Sequence, residues 1–67
     1  MKSILELLKN QGRSQRWLAY KLGKSYNMVN AYVQNRQQPR IEILYEIADL
    51  LAVDVKDLLV SNKIEVK

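Results

Sequence analysis

The sequence predicts an all-α domain centred on a pair of short helices joined by a tight turn. Three observations carry that prediction. Serines stand where helices would begin, at Ser3, Ser14 and Ser25, and a serine hydroxyl accepts from a free backbone N–H of the first helical turn. Gly12 and Gly23 stand where the first two helices would stop, because glycine enters the left-handed region freely. Between these signals apolar residues recur at spacings of three and four, the period of one face of a helix.

Sixty-seven residues, 48% hydrophobic and 27% charged, describe one small globular domain rather than a disordered chain. A core of that size is modest, so self-association would add stability. The absence of cysteine and histidine excludes a disulfide framework and a zinc site of the usual Cys and His kind. The N-terminal apolar run is broken by Glu6 and lacks a small-residue cleavage site, and nothing approaches a membrane span. The expected compartment is the cytoplasm. The net charge of +4 is unevenly placed. From Leu7 to Arg40 there is no acid, while Lys9, Arg13, Arg16, Lys21, Lys24, Arg36 and Arg40 are basic. From Ile41 to Leu59 the acids Glu42, Glu46, Asp49, Asp54 and Asp57 face only Lys56. A domain polarised in this way offers one surface to a polyanion and keeps the other off it.

The first helix reads from Ser3 to Gln11, with Ile4, Leu5, Leu7 and Leu8 as its apolar contacts and Gly12 as its stop. The second is capped by Ser14 and runs through Trp17, Leu18 and Leu22 to Gly23, with Tyr20 on its flank. Arg13, Ser14, Gln15 and Arg16 surround its start, where free N–H groups and the positive end of the helix dipole favour a phosphate. Ala19 is small where the next helix must cross closely. Trp17 is expected at the core edge.

The third helix is capped by Ser25, and at about 100° per residue Val29, Tyr32 and Val33 share its inner side. Asn27, Asn30, Ala31 and Gln34 fall opposite, with Tyr26 at the border. A solvated helix face is normally rich in Lys and Glu, whereas this one carries neutral amides. Asn and Gln can make paired hydrogen bonds to adenine N6 and N7 in the major groove, each good pair contributing roughly 1 to 3 kcal/mol of discrimination.

Arg36 and Arg40 flank the loop that follows the third helix and are placed to clamp phosphates. The fourth helix, Ile41 to Leu51, has Ile41, Leu44, Ile47, Ala48 and Leu51 as its inner stripe, widened by Ile43 and Leu50. Extra apolar surface on a small domain suggests a partner, so Ile43 and Leu50 are the candidate dimer contacts. Asp54 caps a fifth helix, with Asp57 at the capping-box spacing, Val53 and Leu58 as a hydrophobic staple, and Leu58 and Leu59 closing the core. Residues 60–67 form a tail whose Ile64 and Val66 alternate as in a short strand.

The run Gln15, Leu18, Ala19, Gly23, Ser25, Val29, Pro39, Leu44, Ile47, Ala48, Leu51 and Val53 resembles the helix-turn-helix family of the phage repressor and Cro type, also called Xre-type regulators. The match is gapless from Ser14 to Leu59, about two-thirds of the chain. The resemblance implies a compact five-helix, lambda-repressor-like DNA-binding domain over residues 1–59. Helices two and three would form the helix-turn-helix, with the third reading DNA and the Gln15 region touching phosphate. Family members often pair a basic residue near the position of Leu8 with an acidic one near Val33. Both positions are apolar here, a paired change that is often neutral or stabilising. The chain also departs from the family at Trp17, where Glu is usual, at Lys24, where the turn is usually aliphatic, and at Asn35, where Gly is usual.

The expected function is therefore sequence-specific DNA binding by a small dimeric regulator, on a palindromic operator read through the major groove. Tyr26, Asn27, Asn30 and Ala31 are assigned to base edges. Ser14, Gln15, Arg16, Lys24, Gln34, Arg36 and Arg40 are assigned to phosphates. Double-stranded DNA and a second copy of the chain are the expected partners, with no cofactor, metal, membrane or small-molecule ligand. Catalysis is disfavoured, because there is no glycine-rich phosphate loop and the acids are spaced as exposed helix residues and caps. A protein-interaction or antitoxin-like module on the same fold is the alternative. It would not require an acid-free basic half around an amide-bearing helix.

Overall fold

The computed structural model describes residues 2–59, and the expected extension of the tail over residues 60–67 lies outside them. Within them are four helices, α1 (Ile4–Asn10), α2 (Gln15–Leu22), α3 (Tyr26–Val33) and α4 (Ile41–Leu50). No described helix is long and apolar enough to cross a membrane.

The helix starts follow from the serines. Ser3 accepts from the Glu6 N–H at 3.1 Å while the Glu6 carboxylate accepts from the Ser3 N–H at 3.1 Å, a complete capping box. The Ser14 hydroxyl accepts from the Trp17 N–H and that of Ser25 from the Met28 N–H. The fourth helix begins differently. Its N-cap is Arg40, with no side-chain cap bond, and the preceding Pro39 is buried.

The helix ends share one geometry. Gly12, Gly23, Asn35 and Ala52 all have positive φ, between 59° and 69°. In each case the next residue's N–H reaches back to the carbonyl four residues before the left-handed one: Arg13 to Leu8, Lys24 to Ala19, Arg36 to Ala31 and Val53 to Ala48, at 2.8–3.0 Å. These are Schellman closures, which satisfy carbonyls that the end of a helix leaves without partners.

The expected fifth helix is instead one 3₁₀ turn, Val55–Asp57, opened by Asp54. Leu58–Leu59 then runs extended as β2 and pairs in parallel with Lys2–Ser3, β1, in the register Lys2 to Leu58 and Ser3 to Leu59. The chain leaves the helical region after one turn because its backbone groups at Leu58 and Leu59 pair with the N-terminal segment rather than with the preceding turn.

The core gathers Leu8, Leu18, Val29, Ile47 and Leu51, each almost fully buried, with Ile4, Leu7, Ala19, Leu44, Ala48 and Leu58 around them. Leu8 and the half-buried Val33 both pack in this apolar assembly. Two expected core positions are corrected. Leu5 is 38% and Ile41 55% exposed. Leu5 turns away from the face defined by Ile4, Leu7 and Leu8. Ile41 lies about 70° from the centre of the α4 stripe at 100° per residue, and side chains in a first turn lean past the helix end. Gln11 adds a long-range link, its Nε2 donating to the Leu51 carbonyl at 2.8 Å and so joining the ends of α1 and α4.

Candidate nucleic-acid interface

The second and third helices pack more extensively on each other than on any other element. Ala19, buried in α2, faces the crossing, as its small size requires. Val29 and Tyr32 are buried and Val33 is half-buried against the core. The opposite side of α3 is thereby directed outward. Asn27 is exposed and makes no side-chain hydrogen bond among the described residues. Tyr26 is 47% exposed, and Ala31 is half-buried.

Asn30 is different. Its Nδ2 donates to Gln15 Oε1 at 2.8 Å, and its Oδ1 accepts from Arg36 Nη2 at 3.2 Å. One amide thus links the first residue of α2, the middle of α3 and the loop after α3. The Arg16 guanidinium stands 5.8 Å from the centre of the Tyr26 ring, a cation–π distance that makes a second link between the starts of the two helices. Arg13 lies over the half-buried Trp17 ring at 4.3 Å, so Trp17 takes the core-edge position expected of it and carries a cation on its outer face.

Ser14 uses its oxygen as the cap acceptor and keeps its O–H proton for another acceptor. Gln34 is the exposed C-cap of α3. Lys24 and Arg40 are exposed and line one cleft with Met28, Tyr32, Gln38 and Ile43. Both polar atoms of the Gln38 side chain are buried in the wall of that cleft with no hydrogen-bond partner among the described residues. Ile43 and Leu50, the expected dimer contacts, are half-buried and pack against the core, on the edge of α4 away from Ile41 and Tyr45.

All seven basic residues of the acid-free stretch are exposed. Among the described residues the one ion pair joins Lys56 to Asp54 at 4.0 Å, so none of the seven is ion-paired with an acid there, although Glu42 lines the same cleft as Lys24 and Arg40. Position along the chain was enough to put Arg36 in the exposed loop after α3 and Gln15 at the start of α2, where it is half-buried. The links that Asn30 makes were not legible, because they depend on the angle at which α3 crosses α2.

A family model described as helix-turn-helix matches residues 4–58 of the chain. Among solved structures, the chain is similar to a crystal structure described as that of a candidate DNA-binding protein from Bacteroides fragilis. The two are 38% identical, the match covers 79% of this chain and 86% of that one, and the TM-score is 0.76. No curated protein matches the chain significantly. With the match running from the first residue of α1 to β2, and with α2 and α3 packed as its central pair, the chain belongs to the helix-turn-helix family of the phage repressor and Cro, or Xre, type.

Proposed function

We propose that the protein is a sequence-specific, DNA-binding transcriptional regulator that lays α3 in the major groove, with residues 1–59 as the DNA-binding unit. One observation carries this reading: an outer face of α3 that bears amides and no charge, surrounded by exposed Lys and Arg that have no acidic partner among the described residues. Amides satisfy base edges, and unpaired cations satisfy phosphates. Asn27 is the principal reader, being exposed and unbonded in the first turn of α3, with Tyr26 and Ala31 beside it. Ser14, Gln15, Arg16, Lys24, Gln34, Arg36 and Arg40 hold the backbone.

The working unit in this proposal is a two-fold dimer on an inverted repeat. One recognition helix covers only a few base pairs, and two copies related by a two-fold axis read half-sites centred about 34 Å apart. The edge of α4 that carries Ile43 and Leu50 supports this assignment, because both keep part of their apolar surface free while packing on the core. Sedimentation at micromolar protein should give twice the chain mass of 7.9 kDa. A protein that stays monomeric on a single non-palindromic site would remove the dimer and leave DNA binding standing.

Binding to duplex DNA from upstream of its own gene, measured against salt, tests the reading as a whole. A dimer neutralising about 4 to 8 phosphates should give a slope of log K against log salt of roughly −4 to −7. A slope near zero would remove DNA from the account. Asn27→Ala should cost roughly 1 to 3 kcal/mol per half-site on the cognate operator and little on random DNA. Equal losses on both would make Asn27 a contact of position rather than of sequence.

A further inference from the structure

Asn30 lies on the face of α3 that meets DNA in the proposed function, yet both ends of its amide are engaged inside the chain. We propose that Asn30 is a positioning residue, whose amide orients Gln15 and Arg36 as a paired phosphate clamp on the two sides of the recognition helix. This inference rests on the DNA-binding reading and specifies how its backbone contacts are set.

The chemistry follows from which atoms are used. Gln15 carries an acceptor and a two-hydrogen donor on one planar group, and a free Gln in a first helical turn presents either to its surroundings. The 2.8 Å bond fixes Oε1 against Asn30 Nδ2. The Gln15 Nε2 group is then turned away from Asn30 with both hydrogens available, the only end of the amide that can bind a phosphate oxygen. Arg36 has five N–H donors in a rigid fork, of which one Nη2 hydrogen is placed on Asn30 Oδ1 at 3.2 Å. The other four are left for phosphate, and the plane of the fork is held.

A neutral amide performs both tasks. It must donate to an oxygen on one side and accept from a cation on the other. A carboxylate at this position would repel Gln15 Oε1 or turn the glutamine amide round, presenting its carbonyl to the phosphate. An alanine would release both clamps. Fixing a rotamer-rich side chain before binding is worth about 2- to 12-fold in affinity for each side chain, and Asn30 fixes two.

The test compares wild type, Asn30→Ala, Gln15→Ala and the double variant on two probes: random-sequence duplex DNA and a duplex that the wild-type protein selects from a randomised pool. Asn30→Ala should weaken both probes alike, by about 10-fold, and flatten the salt slope by about 1 per chain as Arg36 loses its hold. The double variant should bind about 3-fold worse than Gln15→Ala alone, the share that passes through Arg36, rather than the full ~10-fold. Gln15→Glu is the control for folding: it keeps an acceptor for Asn30 Nδ2 but offers no donor to phosphate. It should melt like wild type and bind both probes weakly, and Asn30→Ala on that background should lose only the Arg36 share, about 3-fold.

A loss confined to the selected duplex would make Asn30 an independent base reader, and losses from Asn30→Ala and Gln15→Ala that multiply in full in the double variant would show that it does not act through Gln15; either overturns the proposal. In either case wild type still binds with its salt dependence, and the DNA-binding reading survives. A wild type that binds neither probe overturns both.

Discussion

Replacing Ala52 by glycine should stabilise the protein. Ala52 sits at φ 59°, in the left-handed region, and closes α4 through the Ala52 N–H on the Asp49 carbonyl at 3.1 Å and the Val53 N–H on Ala48 at 2.9 Å. For a residue with a Cβ this conformation costs roughly 1 to 2 kcal/mol, and glycine adopts it without that penalty. Against the gain stands the greater freedom of glycine in the unfolded chain, about 0.4 to 1 kcal/mol. The methyl group is exposed, so its removal opens no cavity. The net expectation for Ala52→Gly is a gain of about 0.5 to 1 kcal/mol, or a melting temperature roughly 2 to 8 °C higher for a domain of this size. Gly23→Ala is the mirror experiment. An added Cβ at Gly23 would meet nothing within 4 Å, so any loss there reports the backbone alone and should be about 1 kcal/mol. Urea unfolding followed by circular dichroism measures both, with unchanged m-values showing that the native and denatured states keep their extent. Ala52→Gly that is neutral or destabilising, together with a Gly23→Ala that loses nothing, would refute the account of how these helices end.

Other substitutions test the packing around the interface. Gln11→Ala should cost about 1 kcal/mol, because the Leu51 carbonyl loses its donor at 2.8 Å; equal urea midpoints for variant and wild type would show that the link contributes nothing. Gln38→Met should raise stability by about 1 kcal/mol, since it replaces a buried amide that has no partner among the described residues with an apolar chain of similar length, and a lower midpoint would show that the amide is satisfied. Ser25→Ala should cost about 1 kcal/mol through loss of the cap on Met28 N–H, with operator affinity falling by no more than the unfolded fraction explains.

The helix starts were legible because a cap is a local device. Ser3, Ser14 and Ser25 each act on a backbone N–H three residues on, and nothing distant alters that. Gly12 and Gly23 were readable as stops for the same reason, whereas Asn35 was placed by the resemblance, standing where Gly is usual. Ala52 was not readable, because alanine is a good helix former and enters the left-handed region here only because the 3₁₀ turn and β2 draw the chain away. The expected fifth helix failed for a related cause. Asp54 caps a turn as well as a helix, and the pairing of Leu58 and Leu59 with Lys2 and Ser3 is invisible to a period of three or four. Ile41 fits the α4 stripe by spacing, but spacing says nothing about where a core ends. In the interface, the outward amides of α3 came from periodicity, whereas Gln15 and Asn30 are fifteen residues apart and meet only through the crossing of two helices.

The parallel pair of β1 and β2 brings nearly the whole described chain round to its own beginning. The other backbone hydrogen bonds described join residues near one another along a helix or across a short turn, and such contacts form early because little chain entropy is lost in making them. The pairing of Lys2 with Leu58 must wait for everything between. On a ribosome, which releases the N-terminus first, this small domain makes its first element at the outset and completes it last, after α4 and the turn behind it have emerged.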